Sequence, residues 1–356
     1  MPKVYKLTLG LSIIPQILLV KVLAKYPNFV EENYSNLLYP IISKSLRSAF
    51  GWIPFSLGDL IYLFFFLLII YFFINNTINK NGKMNYRNLI FKSVTALSLF
   101  YFAFHLFWGL NYYRLPLEKK LGLKTNYTTD ELYKSTQHLI KRANTIHFKL
   151  TGDSKKIVNT PYDFCSLKRE IKNGYSISTN EFNLNNFNYE SQKKSLFSKI
   201  LAYMGFSGYL NPFTNEIQIN SYLPINSTAI TLAHERAHQL GYASEAEANF
   251  IAFVSTKNHD NIYIQYSSYT FALAYCLNEL QKKNKKKFEI CYKRINEGII
   301  GDYKNRKKSW HKFRNPIEPL FKYVYDKFLK NNNQKMGIES YSHVVGLIIN
   351  SFGLKN

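Results

Sequence analysis

Cysteine is scarce in this sequence, which has three in 356 residues: Cys165, Cys276 and Cys291. No two of them form a Cys-x-x-Cys pair, which argues against a zinc site built on cysteines. Three thiols form at most one disulfide bond, so cysteine usage does not decide between a reducing and an oxidising compartment.

Acidic residues are also few, with 23 Asp and Glu against 46 Lys and Arg, and the formal net charge is +23. Such a charge attracts nucleic acids or anionic lipid headgroups, but by itself it identifies neither partner. The sequence has no zinc-finger, RNP-type or other nucleic-acid signature. We therefore expect no nucleic-acid partner and take the lipid bilayer as the expected partner.

Long apolar runs are missing after about residue 110, which is typical of a membrane anchor joined to a water-soluble part. Before that point, three segments are predicted to be transmembrane helices: residues 7–24, 53–75 and 90–112. At the end of the third segment, Trp108, Tyr112 and Tyr113 stand where an aromatic belt would lie at the membrane surface.

The orientation of this anchor is predicted from its charged loops. The connector 76–89 has basic residues and no acidic one, so the positive-inside rule assigns it to the cytoplasm. Residues 1–114 would then form a multi-pass anchor in the cell (inner) membrane, and residues 115–356 an extracytoplasmic domain. The same orientation follows whether segment 7–24 is an uncleaved anchor or a cleaved signal peptide.

The extracytoplasmic domain is predicted to be mainly α, because apolar residues recur at helical spacing through most of it. One segment differs. Residues 208–220, "GYLNPFTNEIQIN", have turn-forming residues followed by alternating polar and apolar ones. This pattern predicts a short β strand or hairpin within the helical domain.

The main candidate site is the HExxH motif at residues 234–238. On a helix that Ser227 would cap, His234 and His238 are one turn apart and project from the same face. Zinc binds neutral imidazole nitrogens, so the two histidines can supply two ligands of a tetrahedral Zn²⁺ site. Glu235 can lie beside the metal and take a proton from bound water, which predicts a catalytic base.

A third ligand is expected from a second helix that reverses direction after Gly241, a residue suited to a helix C-terminus. Ser244 would cap this helix, and Glu247 would complete a capping box with it. Glu245 has no such structural role, so we predict Glu245 as the third ligand and Glu247 as the alternative. Asn249, one turn after Glu245, is predicted to orient a ligand histidine.

The run "HERAHQLGYASEAEANF" (234–250), together with "FGWIPFSLGDLIYL" (50–63), "NPFTNEIQIN" and "GIESYSHVVGLI" (337–348), resembles a bacterial membrane family catalogued as domain of unknown function 3810. That family has no established activity. The resemblance, which covers nearly the whole chain, implies membrane anchoring and a zinc site but no substrate. More distantly, the Glu-x-x-x-Asn after HExxH is similar to the Glu-x-x-x-Asp of gluzincin metallopeptidases, with Asn249 in place of Asp and a shorter spacing. The domain is therefore expected to be zincin-like.

In zincins, an edge strand beside the active-site helix binds an extended peptide through main-chain hydrogen bonds. The predicted strand 216–220 would play this part, with Ile217 and Ile219 as substrate-binding residues; the alternative is an ordinary hairpin arm. Several side chains are candidates for stabilising the oxyanion, and the sequence does not rank them: Tyr222, Tyr242, Tyr341 and His343.

These features predict a membrane-anchored zinc metallopeptidase that hydrolyses a peptide or other amide bond outside the cytoplasm. The alternative is a non-catalytic membrane protein in which a structural or vestigial metal site braces two helices, because a closed zinc site needs no general base. Intramembrane proteolysis is disfavoured because the motif and its flanks carry too many charged residues to cross a bilayer.

Overall fold

The computed structural model describes residues 8–77, 86–181, 191–334, 336–337 and 341–352, and the chain is mainly helical, as predicted. Segment 7–24 begins one residue outside the described part, and most of the connector 76–89 also lies outside it. The α-helices of five or more residues in the described part of the chain are α1 Ile13–Leu23, α2 Tyr39–Phe50, α3 Leu57–Thr77, α4 Tyr86–Phe107, α5 Leu117–Leu121, α6 Thr129–Thr151, α7 Phe164–Glu181, α8 Ser198–Met204, α9 Ile225–Gln239, α10 Glu245–Thr256, α11 Ile262–Lys283, α12 Lys285–Tyr292, α13 Glu297–His311, α14 Glu318–Asn331 and α15 Tyr341–Ser351.

The chain divides into two compact units. The first consists of Met1–Leu115, Tyr189–Leu196 and Asn211–Glu216, and the second of Pro116–Asn188, Phe197–Leu210 and Ile217–Asn356. The sequence predicts a single boundary after residue 114. The first unit therefore contains two short segments that lie far along the chain from the predicted anchor.

One helix of the described residues, Leu89–Phe107, is long and apolar enough to cross a membrane. The number rises to two if Thr8–Leu23 and Pro27–Phe50, which meet at a bend of 100°, together form one span. Leu57–Phe72 is a shorter apolar helix. Of the three predicted spans, one or two thus meet the requirements of length and composition.

The predicted aromatic belt is wrong. Helix α4 ends at Phe107 and a short 3₁₀ helix, Gly109–Tyr113, follows it. Trp108, Tyr112 and Tyr113 are each 6–7% exposed, whereas belt residues face the lipid–water boundary. These aromatic side chains instead belong to the interior of the first unit.

Buried charges explain why the two later segments belong to the first unit. Asp59, at the start of the apolar helix α3, is buried and accepts hydrogen bonds from Ser195 Oγ (3.0 Å) and the Leu196 amide (2.7 Å). Glu216 forms a buried ion pair with Lys193 and accepts a 2.6 Å hydrogen bond from the Gly58 amide. Because a buried charge without a partner is costly, these contacts hold both segments in place.

The second unit is built around α6 and α11, which pack along each other. Thr128 caps α6 in a complete capping box with Glu131. Helices α9 and α10 pack against each other and against α7, and α15 covers α10 and α11. Most of α10 is buried, so the helix that follows the HExxH motif is part of the hydrophobic core.

The predicted hairpin is present, with β2 at Gly208–Asn211 and β3 at Glu216–Ile219. A third strand, β1 (Gln192–Lys194), joins them in a sheet of order β1-β3-β2. Strand β3 is therefore central in this sheet, and the prediction that it is an edge strand is wrong. Ile217 and Ile219 are 0% and 1% exposed and belong to the core, so they are not substrate-binding residues.

Candidate metal centre

The helix that carries the HExxH motif begins earlier than its predicted cap. Helix α9 starts at Ile225, Pro224 occupies the N-cap position, and Ser227 lies in the first turn. The Ser227 amide donates to the Pro224 carbonyl at 2.8 Å. A proline at this position has a fixed φ and no amide hydrogen to satisfy, which explains why it replaces a polar cap.

The reversal between α9 and α10 follows the predicted pattern. Gly241 has a φ of 88°, the left-handed conformation that favours glycine. The Tyr242 amide donates back to the Ala237 carbonyl at 3.1 Å, which closes the end of α9. Ser244 then caps α10 by accepting a 3.5 Å hydrogen bond from the Glu247 amide. This tight connection brings the first turn of α10 beside the last turns of α9.

Three side chains meet at this junction. The Nε2 atoms of His234 and His238 are 3.1 Å apart, and Glu245 lies with Oε2 3.4 Å from Nε2 of His234 and Oε1 3.5 Å from Nε2 of His238. Two ligands about 2.05 Å from one zinc ion at the tetrahedral angle are about 3.3 Å apart. The donor types and their separations therefore fit a single zinc ion held by these three residues.

The hydrogen bonding of His238 favours the form that binds metals. Its Nδ1 lies 2.7 Å from the Tyr242 carbonyl oxygen. A carbonyl only accepts, so Nδ1 carries the proton and Nε2 of the neutral ring keeps its lone pair. Asn249 does not have the predicted orienting role, since Tyr242 orients His238 and Nδ1 of His234 is buried with no hydrogen-bond partner in the described part of the chain.

The charges at the junction favour a cation between the three side chains. Burial acts to raise the pKa of Glu245, but its hydrogen bonds with His234 and His238 outweigh burial and hold that pKa well below its usual range. Burial likewise acts to lower the pKa of His238, but the hydrogen bond and the charge of Glu245 raise it to about 9. The metal-free site thus holds a proton strongly, and a divalent ion would compete for the same position.

Glu235 lies beside the histidines and is 4% exposed. Burial raises its pKa, although the charges of His234 and His238 oppose this effect. One ligand atom from each of His234, Glu235 and His238 lies within 4.8 Å of the others. Oε2 of Glu235 is buried with no hydrogen-bond partner among the residues that the structure describes, so this carboxylate is free to take a proton or a ligand.

Glu247, the alternative ligand, is engaged elsewhere. Its Oε1 accepts a 2.7 Å hydrogen bond from the amide of Leu117, the first residue of α5, and the residue is 5% exposed. The capping box is therefore only half formed, because the Glu247 carboxylate caps another helix rather than its own. Of the two candidate carboxylates, the structure brings Glu245 and not Glu247 to the histidines.

One residue of the candidate site, Tyr325, has no signal in the sequence. Tyr325, on α14, donates a 2.7 Å hydrogen bond from its hydroxyl to Oε1 of Glu245. The two residues are 80 positions apart, and no motif around Tyr325 links it to HExxH. The four candidates for oxyanion stabilisation make other contacts. Tyr222 packs against Phe313, and Tyr341 packs against Tyr275. His343 faces Glu118, and Tyr242 is buried with its carbonyl oxygen bound to His238.

Comparison with known proteins gives a family but no relative of known activity. A family model described as "Protein of unknown function (DUF3810)" matches residues 34–349. No curated protein and no solved structure is significantly similar to the chain. The matched region is most of the chain and includes all the residues of the candidate metal centre. The chain therefore belongs to the DUF3810 family of proteins of unknown function.

Proposed function

We propose that this protein is a zinc metallopeptidase that hydrolyses a peptide bond or another amide bond. His234, His238 and Glu245 would hold the zinc ion, and Glu235 would act as general base. The observation that carries the proposal is the cluster of two imidazole nitrogens, 3.1 Å apart, and the Glu245 carboxylate, whose Oε2 and Oε1 lie 3.4 and 3.5 Å from Nε2 of His234 and His238. The buried carboxylate of Glu235 lies beside this cluster.

The residues of the chain divide the chemistry between them. When bound, zinc supplies a Lewis acid that polarises the scissile carbonyl and lowers the pKa of water. Glu235 takes the proton of the attacking water and returns it to the leaving amine. The position of Glu235 suits this role, because a general base must lie within hydrogen-bonding reach of the proton that it takes.

We further propose that the substrate chain lies along β2 rather than β3. Strand β2 is at an edge of the three-stranded sheet, and three of its four residues are partly exposed. Gly208, its first residue, lies against the Glu235 side chain. A peptide added at this edge by main-chain hydrogen bonds would pass the general base.

The proposed location is the cell membrane, with the catalytic domain outside the cytoplasm. The apolar helix Leu89–Phe107 supports an anchor, and the basic connector 76–89 supports the orientation. Peptides or proteins outside the cytoplasm would be the substrates, including amide links of a cell-wall peptide.

The alternative is a closed structural zinc site in a non-catalytic protein. The short separation between Glu235 and the two histidines favours it, because Glu235 could then serve as a fourth protein ligand. The two functions differ in what the Glu235 carboxylate does, and this difference can be measured.

Metal analysis and peptidase assays of the purified full-length protein test the proposal. The wild type should contain one zinc ion per chain and cleave a mixed peptide library, and Glu235→Gln should keep the zinc and lose cleavage. Glu289→Gln, which removes an exposed carboxylate on α12, is the matched control and should keep both properties. Loss of zinc from the Glu235→Gln variant would favour the structural site. A wild type that contains zinc but cleaves no peptide of the library would favour it as well.

A further inference from the structure

Glu245 is held by a hydrogen bond from outside the helix pair that forms the metal centre. We propose that Tyr325 is a positioning residue that fixes the Glu245 carboxylate and favours metal binding through the other oxygen, Oε2. This inference rests on the proposed function, since it concerns the same ion. It adds α14, near the end of the chain, to a site that the sequence motif confines to residues 234–245.

The direction of the hydrogen bond is settled by chemistry. A carboxylate that binds a metal is deprotonated, and its oxygens only accept hydrogen bonds. The Tyr325 hydroxyl therefore donates to Oε1 at 2.7 Å, a length typical of a strong hydrogen bond to a charged group. Oε1 also lies 3.5 Å from Nε2 of His238, whereas Oε2, which lies 3.4 Å from Nε2 of His234, is not the oxygen that Tyr325 holds.

The tyrosine ring is itself held in place. Phe206 meets it edge-on, with ring centroids 5.1 Å apart, and Phe328 stacks on it one turn along α14 at 6.2 Å. Helix α14 packs against α8, which precedes Phe206 in the chain. The hydroxyl is thus presented from a packed aromatic cluster and not from a freely rotating side chain.

This arrangement has a consequence for the coordination number. A carboxylate ligand binds zinc through one oxygen or through both. The hydrogen bond from Tyr325 makes Oε1 the poorer ligand of the two oxygens, so Glu245 should bind through Oε2 and leave a position for water or substrate. Removal of the hydroxyl would let Glu245 rotate and bind through both oxygens. Loss of such an orienting hydrogen bond typically weakens metal binding about 10- to 100-fold.

The same helix offers a matched control. Tyr323 lies two residues before Tyr325, is 60% exposed, and has Lys327 5.5 Å from its ring centroid. Tyr323→Phe removes the same hydroxyl from the same helix without touching Glu245. Any general effect of losing a tyrosine hydroxyl on α14 should appear in both variants.

The test compares wild type, Tyr325→Phe and Tyr323→Phe as full-length proteins in detergent. Zinc dissociation constants are measured by competition with a chromophoric chelator, and coordination is measured by the visible absorption of the Co²⁺-substituted proteins. We expect Tyr325→Phe to bind zinc about 10- to 100-fold more weakly and its Co²⁺ bands to weaken as coordination rises above four. Tyr323→Phe should match the wild type in both measurements.

Both readouts are independent of peptidase activity, so the two proposals can fail separately. If the wild type binds one zinc ion and Tyr325→Phe has the same affinity and the same Co²⁺ spectrum, the positioning role is wrong and the metallopeptidase proposal stands. If the wild type binds no zinc, both are wrong. The melting temperatures of the metal-free proteins are measured first, and all binding experiments are done below the lowest of them. Every protein is then folded during the comparison, so a difference in stability cannot cause a difference in zinc affinity.

Discussion

Gly208 lies directly against the carboxylate of Glu235. A β-carbon added to Gly208 would be 2.8 Å from the carbonyl oxygen of Gln218, closer than real β-carbons approach, and 3.0 Å from Oε1 of Glu235, tighter than most real contacts. Strand β2 therefore passes the HExxH helix without a side chain, and this clearance fixes where the general base can lie.

The first prediction concerns this clearance. Gly208→Ala should displace the Glu235 side chain and cut kcat at least tenfold, because a general base must remain within hydrogen-bonding reach of its proton. Zinc content should not change, since the ligand atoms of His234, His238 and Glu245 are untouched. Steady-state kinetics on a cleaved peptide, with zinc analysis of the same sample, measures both effects.

A suitable control for that variant is Gly301→Ala on α13, where the added β-carbon would meet only a methyl group of Ile157. It should leave kcat unchanged. Normal kcat in Gly208→Ala would mean that Glu235 does not need its present position and would weaken its assignment as the base.

The second prediction concerns metal removal. Zinc that binds only the folded protein should stabilise it by about 2.7 kcal/mol at a free concentration 100 times the dissociation constant. Chelation should therefore lower the melting temperature, and added zinc should restore it. His238→Ala should melt at the same temperature with and without zinc, because one of the three proposed ligands is gone. Scanning calorimetry of both proteins tests this, and equal zinc responses would contradict the ligand assignment.

The third prediction concerns pH and a pair of residues away from the metal centre. His343 Nε2 lies 3.7 Å from Oε2 of Glu118, and both side chains are about three-quarters buried. The neighbouring Glu118 carboxylate raises the pKa of His343 against the effect of burial. Burial acts to raise the pKa of Glu118, but His343 outweighs it, so that pKa is lowered.

The signs of these shifts define a pH window. The raised pKa of His343 gives stability that is fully present below its unfolded value of 6.5 and is lost as pH rises through the folded value. The lowered pKa of Glu118 gives stability that is present above 4.5 and is lost as pH falls through the folded value. His343→Gln should therefore lower the free energy of unfolding most between pH 4.5 and 6.5, by about 1 kcal/mol or less. Urea unfolding across this range measures it, and a cost independent of pH would refute the pairing.

The fourth prediction concerns the buried ion pair of the first unit. The side chains of Lys193 and Glu216 are 4% and 0% exposed. Lys193→Met should destabilise the protein by about 3–5 kcal/mol, because it leaves a buried carboxylate without its partner. The double variant with Glu216→Gln should recover much of this loss, since no uncompensated charge remains.

An exposed pair provides the comparison. Lys287 and Asp130 form an ion pair with side chains 30% and 75% exposed, and Lys287→Met should destabilise the protein far less than Lys193→Met because solvent screens the pair. Denaturant unfolding of the three variants gives the comparison directly. Similar costs for the two lysines would mean that burial does not govern these ion pairs.

Parts of the candidate metal centre could be predicted because they depend on neighbours in the chain. The spacing of His234 and His238, the left-handed Gly241 and the cap at Ser244 are set by helix geometry within about ten residues. The capping pattern, together with Asn249 one turn after Glu245, favours Glu245 over Glu247 as the third ligand. The structure adds the reason, which is that the Leu117 amide occupies the Glu247 carboxylate.

Other parts could not be predicted because they depend on distant segments. An alternating pattern predicts the strand at 216–220, but it does not say whether the strand has one neighbour or two. Strand β1 comes from residues that show no pattern of their own. In the same way, Asp59 looks like an isolated charge at the start of an apolar helix until Ser195 and Leu196 are found to bind it.

The sequence by itself determined the helical character of the chain, its apolar N-terminal segments, and a histidine pair followed by a carboxylate on a reversed helix. These features follow from periodicity and capping, which act within one or two turns. Only the tertiary structure decided that β3 is central, that Gly208 borders Glu235 and that Tyr325 holds Glu245. Each of these contacts joins residues that are far apart in the chain, and such pairs meet only when the core closes around them.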